Sequence, residues 1–473
     1  MIDSIDQGIF KAIKRNMSYA FFANLFSIII SVAMIFIVPK FVGEEDYGKW
    51  QLFLFYFYYL GFFHFGWLDG IYLRYAGQTY EELDKKLVSG QFCGLILLQT
   101  FIIIFGGLLV IFFVSDTIKQ IVLLDNLIML PLVMLITGCS FILQITNRIE
   151  DYAKQLVLEN ATLLFFILMA IFAGYWNYSA LYLMKFISLI FVVIFCIIRC
   201  REIFQLHFYS FKDILVEAKV NISTGSKLML ANIAGMLMLG VVRYGISVGW
   251  DIRIFGKVSL MLSVCNFLVV FIKSISVVLF PVLKKLQIDL LAVLYGKLRL
   301  GLAALIMGLW LCFYPIAYIL EWWLPNYADA IAYMVMIFPI CLFASRIGIL
   351  INTYYNSLRK ETWLLRVNGW SVLVSVGITF WGVKIMHDLR ITVLGIVVVY
   401  CFTSFLAELY LQKWLQISIL KEYAWELLLM CCFIGGGLNL DRMWAFIVYI
   451  GCYIVYLLLH WKYIRSLRMM IVK

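Results

Sequence analysis

Apolar residues along this chain form blocks of about twenty, separated by short segments that carry charged residues, glycine, proline or asparagine. A block of that length crosses roughly 30 Å of hydrocarbon as an α-helix, because each residue adds about 1.5 Å. The pattern predicts fourteen membrane helices, of which the thirteenth is short and interrupted by glycine. We place them near residues 17–38, 50–68, 87–114, 127–146, 156–175, 180–198, 228–249, 258–281, 298–320, 331–354, 363–383, 391–412, 423–438 and 443–460.

The composition agrees with a multi-pass membrane protein. Of the 473 residues, 64% are hydrophobic and 14% are charged, whereas soluble domains are about half apolar and a quarter charged. The net charge of +11 does not indicate nucleic-acid binding, because the cations lie in the segments between apolar blocks. We therefore expect an all-α polytopic membrane protein with no metal site.

The distribution of Lys and Arg predicts the orientation. With fourteen helices, 26 of the 38 basic residues lie on the side that holds both termini, and 8 lie on the opposite side. Cytoplasmic segments of membrane proteins carry the excess of basic residues. We therefore expect both termini to be cytoplasmic.

The longest segment between apolar blocks, residues 199–226, predicts an amphipathic helix on the cytoplasmic surface. Its apolar residues recur at helical spacing. They are Ile203, Phe204, Phe208, Phe211, Leu215 and Ala218. The expected organisation is thus a six-helix lobe (1–198), this linker (199–226), a second six-helix lobe (227–412), and a helix pair with a basic tail (413–473).

The two lobes resemble one another in sequence. A shift of 208 residues aligns Asn24 with Asn232, Lys49 with Lys257 and, about 80 residues beyond Lys49, Pro131 with Pro339. Matches of polar residues, glycine and proline over four helices indicate an internal duplication. The repeats share one orientation, so their pseudo-twofold axis should follow the membrane normal, and a substrate site is expected between them.

Several motifs suggest a family. "FVGEEDYGKWQLF", "GWLDGIYLRYAG", "VVRYGISVGWDIRIFGKVSLM", "VVLFPVLKKL" and "WLPNYADAIAYM" resemble segments of the polysaccharide-unit (O-antigen and capsule, Wzx-type) flippases of the multidrug/oligosaccharidyl-lipid/polysaccharide exporter superfamily. The resemblance runs from about residue 15 to residue 412. It departs at Val242, where the family often has Asp before the arginine of the seventh helix.

The resemblance implies two six-helix lobes around a central cavity and transport by alternating access. The implied cargo is a polyprenyl-pyrophosphate-linked oligosaccharide, moved from the cytoplasmic to the outer leaflet for surface polysaccharide synthesis. The implied location is a bacterial-type cytoplasmic (inner) membrane. A polymerase and chain-length machinery are the implied partners of a protein that acts as a monomer. We expect no cofactor beyond a coupling proton or sodium ion.

Four cations lie inside predicted helices: Lys185, Arg243, Lys273 and Arg346. A charge near the middle of the bilayer costs at least about 2.5 kcal/mol, so it usually reaches the interface or faces water or a partner. Lys185 is close to the outer end of its helix, and we interpret it as a snorkelling side chain. The position of Arg243 in its helix agrees equally with a side chain that reaches the membrane interface and with one that faces a cavity. Lys273 and Arg346 are about 12 Å from their cytoplasmic helix ends, which favours a cavity.

Polar residues extend this predicted cavity wall. Ser259, Ser263 and Asn266 share one face of the eighth helix with Lys273, Asn232 shares a face with Arg243, and Asn24 offers a weaker counterpart on the first helix. Because guanidinium and ammonium groups pair with phosphate oxygens, the hypothesis is that Arg243, Lys273 and Arg346 neutralise the pyrophosphate during its passage.

Fewer acidic than basic residues lie inside the predicted membrane helices. We expect Asp69 to form a boundary ion pair with Arg74, with ion coupling as the alternative. Glu408 in the twelfth helix could bind a coupling proton or sodium ion, or could pair with a cation, and the sequence leaves both possibilities open.

Two other functions fit the sequence less well than a flippase does. A membrane glycosyltransferase or polymerase normally carries large external segments, whereas the outer loops here are about a dozen residues long, and no catalytic constellation is present. A multidrug exporter of the same superfamily expels cationic drugs, which a positively charged cavity would repel.

Overall fold

The described part of the chain is built from helices. The structure is a computed structural model that describes residues 2–205, 210–273, 288–358, 360–416 and 418–461, and every regular element in these ranges is a helix. Helices suit long apolar segments because they satisfy their backbone hydrogen bonds internally, without water. The expected fold class, an all-α polytopic membrane protein, is confirmed.

The chain divides into two compact units, Met1–Ile233 and Ala234–Lys473. The first contains seven complete helices and the beginning of an eighth, which continues into the second unit. These helices are α1 (Ile2–Phe41), α2 (Glu44–Leu60), α3 (Trp67–Tyr75), α4 (Lys85–Phe113), α5 (Thr117–Ile145), α6 (Ile149–Phe172), α7 (Tyr178–Arg199) and α8 (Phe211–Gly249).

The second unit has shorter and more interrupted helices, with 3₁₀ segments at Trp310–Cys312 and Pro325–Ala330 and π-helical segments at Ile347–Ile351 and Trp381–Ile385. Its α-helices are α9 (Ile252–Lys273), α10 (Ile288–Leu309), α11 (Phe313–Trp323), α12 (Ile331–Ile337), α13 (Ile340–Arg346), α14 (Asn352–Ser357), α15 (Glu361–Phe380), α16 (Leu389–Leu415), α17 (Leu420–Asn439) and α18 (Arg442–Leu459).

Each of the fourteen predicted helices overlaps a helix or a group of consecutive helices, with residues 274–281 of the predicted eighth helix lying outside the described residues. Among the described residues, eleven spans are long and apolar enough to cross a membrane, or twelve if the bent pair Pro325–Ile337 and Ile340–Ser357 counts as one. The other two predicted helices correspond to α2, which has 17 residues, and to α17, which carries three charged residues. Large apolar side chains are exposed on the spans, as a lipid-facing surface requires.

Helix ends in the two units follow the offset found in the sequence. α1 ends at Phe41 and α8 at Gly249, and α2 begins at Glu44 and α9 at Ile252, so both pairs are 208 residues apart. The equal spacing supports the predicted duplication. The repeats differ at their equivalent prolines, since α5 continues through its internal proline whereas the matching helix bends by 48°.

The segment 199–226 is divided between a turn after α7 and the first part of α8. Residues 206–209, which include Phe208, lie outside the described residues. From Phe211 onward the chain forms one unbroken helix of 39 residues that continues into the predicted seventh span.

The residues predicted on the apolar face of this segment have two kinds of surroundings. Ile203 and Ala218 are buried in the first unit, whereas Phe211 and Leu215 are exposed. Protein contacts, which a periodicity analysis cannot supply, decide which side of α8 is covered.

α3 and α8 approach closely because glycines lie at their crossing. A Cβ atom on Gly70 would lie 2.1 Å from the carbonyl oxygen of Asn221, and one on Gly225 would lie 2.1 Å from the carbonyl oxygen of Gly66. Gly66 also has a φ of +87°, a conformation that glycine adopts without strain. Small residues at such a crossing let two membrane helices pack backbone to backbone.

We predict that Gly70→Ala lowers the stability of the protein by about 1 to 3 kcal/mol, the usual cost of overpacking a tight contact. Thermal unfolding in detergent, followed by tryptophan fluorescence, would measure the change. Gly61→Ala is the matched control, because nothing lies within 4 Å of its added Cβ. Equal midpoints for the two variants would contradict the close approach.

Candidate functional site

Four charged side chains meet inside the second unit. Arg299 of α10, Arg346 of α13, Glu408 of α16 and Glu426 of α17 are each at most 3% exposed. We call these four residues the charge cluster. Its two cations and two anions give it no net charge.

Each carboxylate of the charge cluster lies near both guanidinium groups. Arg299 Nε donates to the two oxygens of Glu408 at 3.0 and 3.1 Å, and Arg299 Nη1 lies 3.1 Å from Glu426 Oε1. Arg346 Nη2 donates to Glu426 Oε1 at 2.6 Å, and Arg346 Nη1 lies 3.7 Å from Glu408 Oε2. The charges therefore alternate in sign around a closed arrangement.

Two tyrosines complete the surroundings of the charge cluster. The hydroxyl of Tyr295 donates to Glu408 Oε1 at 2.5 Å. The ring of Tyr423 lies 4.9 Å from the Arg299 guanidinium carbon and 5.2 Å from that of Arg346. An aromatic face attracts a cation, so Tyr423 helps to replace the water that both guanidinium groups have lost.

The charge cluster ties α17 to the rest of the second unit. Burial of four charges has a large desolvation cost, which close pairing and hydrogen bonds offset. Aromatic contacts strengthen the same junction, since the ring of Phe433 on α17 packs against Trp310, Phe313 and Phe338. The predicted thirteenth helix is therefore an integral part of the second unit.

This arrangement decides the environment of two predicted site residues. The side chain of Arg346, which we expected on the wall of a hydrated cavity, is fully buried between Glu408 and Glu426. For Glu408 the sequence left two possibilities open, and in this structure the carboxylate pairs with Arg299 and Arg346. Arg346 therefore lies in a closed ion cluster and does not face a cavity.

A second polar contact joins α8 and α9. The half-buried Arg243 donates from Nη2 to the hydroxyl of Ser259 at 3.1 Å, and its guanidinium carbon lies 5.4 Å from the ring of Phe255. Ser259 is buried, and Ser263 donates to its carbonyl oxygen one turn further along α9. The structure thus brings together Arg243 and two of the polar residues predicted on the next helix.

Other predicted site residues have different surroundings. Asn24, Asn232 and Asn266 are exposed, and Asn24 donates to the carbonyl oxygen of Ala20 on its own helix. Lys273 is the last residue of α9, and its side chain lies outside the described residues.

Asp69 does not form the ion pair expected with Arg74. Arg74 Nη1 instead donates to Glu217 and Asn221 of α8, at 2.7 and 2.6 Å. The buried carboxylate of Asp69 lies 3.8 Å from Nε2 of His64. The difference arises because α8 packs beside α3. The two helices are far apart in the sequence, so the sequence alone does not show that they are neighbours.

Lys185 is not a snorkelling side chain. It is 5% exposed, and its ammonium lies 3.2 Å from the carboxylate of Glu159 on α6. Sequence reasoning missed Glu159, Arg299 and Glu426 because it assigned charges near predicted helix ends to the interface. The available signal was the presence of acids and bases at similar depth in neighbouring helices.

Comparisons with known proteins establish the fold. No family model and no curated protein matches the sequence. Among solved structures, the lipid II flippase MurJ in an inward closed conformation has a TM-score of 0.68 at 13% identity, over 94% of this chain and 99% of that chain. An outward-facing multidrug resistance MATE family transporter of the MOP superfamily has a TM-score of 0.49 at 13% identity, over 85% of this chain and 96% of that chain. A MOP superfamily transporter from Pyrococcus furiosus has a TM-score of 0.46 at 13% identity, over 85% of this chain and 93% of that chain. The chain therefore shares the fold of the MurJ flippase.

The charge cluster makes a stability prediction. Glu426→Gln or Arg346→Gln alone should destabilise the protein by about 3 to 5 kcal/mol, because each leaves an uncompensated buried charge. The double variant restores neutrality and should be more stable than either single variant. Thermal unfolding in detergent would compare the three proteins.

The control for this experiment is Lys154→Gln, which breaks the exposed pair of Glu150 and Lys154 on α6. Water solvates both groups, so the midpoint should not move. If the double variant lost as much stability as the two single variants together, the residues would not act as a charge-balanced unit.

Proposed function

We propose that the chain is a flippase that moves a polyprenyl-pyrophosphate-linked oligosaccharide from the cytoplasmic to the outer leaflet by alternating access. The observation that carries the proposal is the likeness to the lipid II flippase MurJ over nearly the whole of both chains. The cargo comes from the sequence motifs, which resemble those of O-antigen and capsule-unit flippases. In this proposal the protein acts as a monomer with cytoplasmic termini, and a polymerase and chain-length machinery use its product.

The contact between α8 and α9 supplies the chemistry that such a cargo needs. A diphosphate that enters the membrane loses its water shell, and a guanidinium can replace part of that shell with two parallel hydrogen bonds. Arg243 is half-buried beside Ser259, so it combines a permanent charge with a neighbouring hydroxyl group. We assign Arg243 as the principal phosphate-binding residue.

The remaining predicted residues take secondary parts in the proposal. Lys273 shares the predicted polar face of α9 with Ser259, Ser263 and Asn266, and it is proposed as a second cation for the diphosphate. The exposed amides of Asn24 and Asn232 are proposed to bind sugar hydroxyls. Arg346 is omitted, because its side chain is fully buried and paired with Glu408 and Glu426.

A coupling ion needs a carboxylate that can change its partner. Glu408 suits this role poorly, since two guanidinium groups and the Tyr295 hydroxyl hold it fully buried. Asp69 is a better candidate, because the group 3.8 Å from its carboxylate is the imidazole of His64, which carries a charge only when protonated. We therefore propose Asp69, rather than Glu408, among the two predicted acids for binding a proton or sodium ion.

A reconstituted transport assay tests the function. Purified protein in liposomes would receive a fluorescent polyprenyl-pyrophosphate oligosaccharide in the inner leaflet, and a membrane-impermeant quencher would report its arrival outside. We expect the lipid-linked oligosaccharide to reach the outer leaflet only when the protein is present and the lipid carries a diphosphate. Export of a cationic dye without movement of the lipid-linked oligosaccharide would contradict the proposal and favour a multidrug exporter.

Within that assay, Arg243→Gln should lower the transfer rate at least about tenfold, because a charge-assisted hydrogen bond contributes about 1.5 to 3 kcal/mol. Arg243→Lys should retain part of the activity, since the charge persists while the planar fork is lost. Lys384→Gln is the control, because it removes an exposed cation from the same unit. Unchanged transfer by Arg243→Gln at equal protein level would exclude Arg243 as the phosphate-binding residue.

A further inference from the structure

A cavity of about 430 Å³ opens at one end of the helices of the first unit. Its lining comes from the segment between α3 and α4 (79–81), the turn between α5 and α6 (146–148) and the end of α7 (198–202). α5, α6 and α7 pass the criteria for membrane spans, and each begins or ends beside these residues. The cavity therefore lies at a membrane surface, which the distribution of basic residues predicts to be the cytoplasmic one.

Ion pairs and an aromatic ring hold the wall of this cavity. Asp151 accepts a hydrogen bond from Arg148 Nη2 at 2.8 Å and lies 3.4 Å from Arg199 Nε. The ring of Tyr80 packs against two cations, because the Arg148 guanidinium carbon lies 4.7 Å from its centre and the Lys85 ammonium lies 5.1 Å from it. These contacts join the three lining segments to one another around the cavity.

Two charged side chains of the lining have no ion partner among the described residues. They are Arg201 and Glu81, both exposed, and neither side chain forms a hydrogen bond in the part of the chain that the structure describes. Glu202, which also lines the cavity, pairs with Lys85. The cavity thus presents one free cation and one free anion to a ligand.

An apolar stripe on α7 leads from the cavity into the membrane. Phe191, Ile194 and Ile198 are exposed, and they recur at steps of four and three residues, so they share one face of the helix. Ile198 also lines the cavity. An acyl chain can lie along this face while a polar headgroup occupies the cavity.

We propose that the cavity binds the headgroup of phosphatidylethanolamine. The guanidinium groups of Arg199 and Arg201 donate hydrogen bonds to the phosphate oxygens, a geometry that suits their planar forks. The ammonium group donates to the carboxylate of Glu81. Basic pockets between membrane helices on the cytoplasmic side are typical sites for lipid headgroups. The volume of about 430 Å³ also lies within the range of small-molecule sites, about 300 to 1,000 Å³.

The free charges of the cavity favour a zwitterionic lipid over an anionic one. Phosphatidylethanolamine carries one charge of each sign, which matches the unpaired Arg201 and Glu81. Phosphatidylglycerol has the same phosphate but ends in an uncharged glycerol, so it leaves Glu81 without an opposite charge. The lipid site stands apart from the proposed transport function, and its test needs no transport measurement.

Native mass spectrometry of the purified protein tests the site. Dioleoyl-phosphatidylethanolamine and dioleoyl-phosphatidylglycerol would be titrated separately into the detergent-solubilised protein, so that only the headgroup differs. We expect phosphatidylethanolamine to bind about fivefold more tightly, the size of effect that a partly exposed ion pair provides. Equal affinities of the two lipids would overturn the zwitterionic assignment.

Two substitutions separate the two charges. Arg201→Gln should weaken both lipids about fivefold, since both carry the phosphate, whereas Glu81→Gln should weaken phosphatidylethanolamine alone. Both side chains are exposed, so neither change removes a buried contact. Arg15→Gln is the control, because it removes an exposed arginine that lies near Glu150 on the same surface but does not line the cavity. Unchanged affinity in Arg201→Gln, or an equal loss in Arg15→Gln, would overturn the proposal.

A soluble headgroup tests whether the ligand is a lipid. Glycerophosphoethanolamine carries the same phosphate and ammonium but lacks the acyl chains. It should displace phosphatidylethanolamine only at a concentration at least about a hundredfold higher, because it cannot contact the apolar face of α7. Displacement at an equal concentration would overturn the lipid assignment.

Discussion

A charge inside the membrane must find an opposite charge or water, and the interior of this protein is arranged around that constraint. The charge cluster of the second unit satisfies it with two arginines and two glutamates that are shielded from solvent. The first unit satisfies it with one ion pair whose carboxylate is partly exposed. In both cases the desolvation of each ion is offset by a partner on another helix, so the charges also select which helices pack together.

The two solutions suit different tasks. Four mutually paired charges form a rigid junction, because no member can leave without exposing a buried ion of the opposite sign. They attach α17 to three other helices of the second unit, where aromatic packing adds to the same contact. Arg243 is half-buried and contacts a hydroxyl group and an aromatic ring, so a function that requires movement is easier to place there than in the charge cluster.

Much of the fold could be predicted from the sequence. The lengths of the apolar blocks are local properties, and they located the eleven or twelve apolar spans of the described residues together with the 208-residue offset between helix ends of the two units. The partners of the charges could not be predicted, since they depend on which helices become neighbours. Arg346 and Glu426 are 80 residues apart in sequence, and a single chain offers no signal that joins them.

The candidate site was predicted in part for the same reason. Arg243 and Ser259 lie on successive helices joined by a short turn, so their contact follows from local geometry. Lys185 was misinterpreted because its distance from the helix end suggested snorkelling, whereas Glu159, 26 residues earlier, is its partner. Depth along a helix predicts the cost of a charge, but the neighbouring helix decides how that cost is met.

The most direct test of the transport account is an experimental structure of the protein with a polyprenyl-pyrophosphate oligosaccharide bound. The account predicts diphosphate density within hydrogen-bonding distance of the Arg243 guanidinium, with the charge cluster still closed. Density for the diphosphate at a site remote from Arg243, or between the separated arginines and glutamates of the charge cluster, would contradict it.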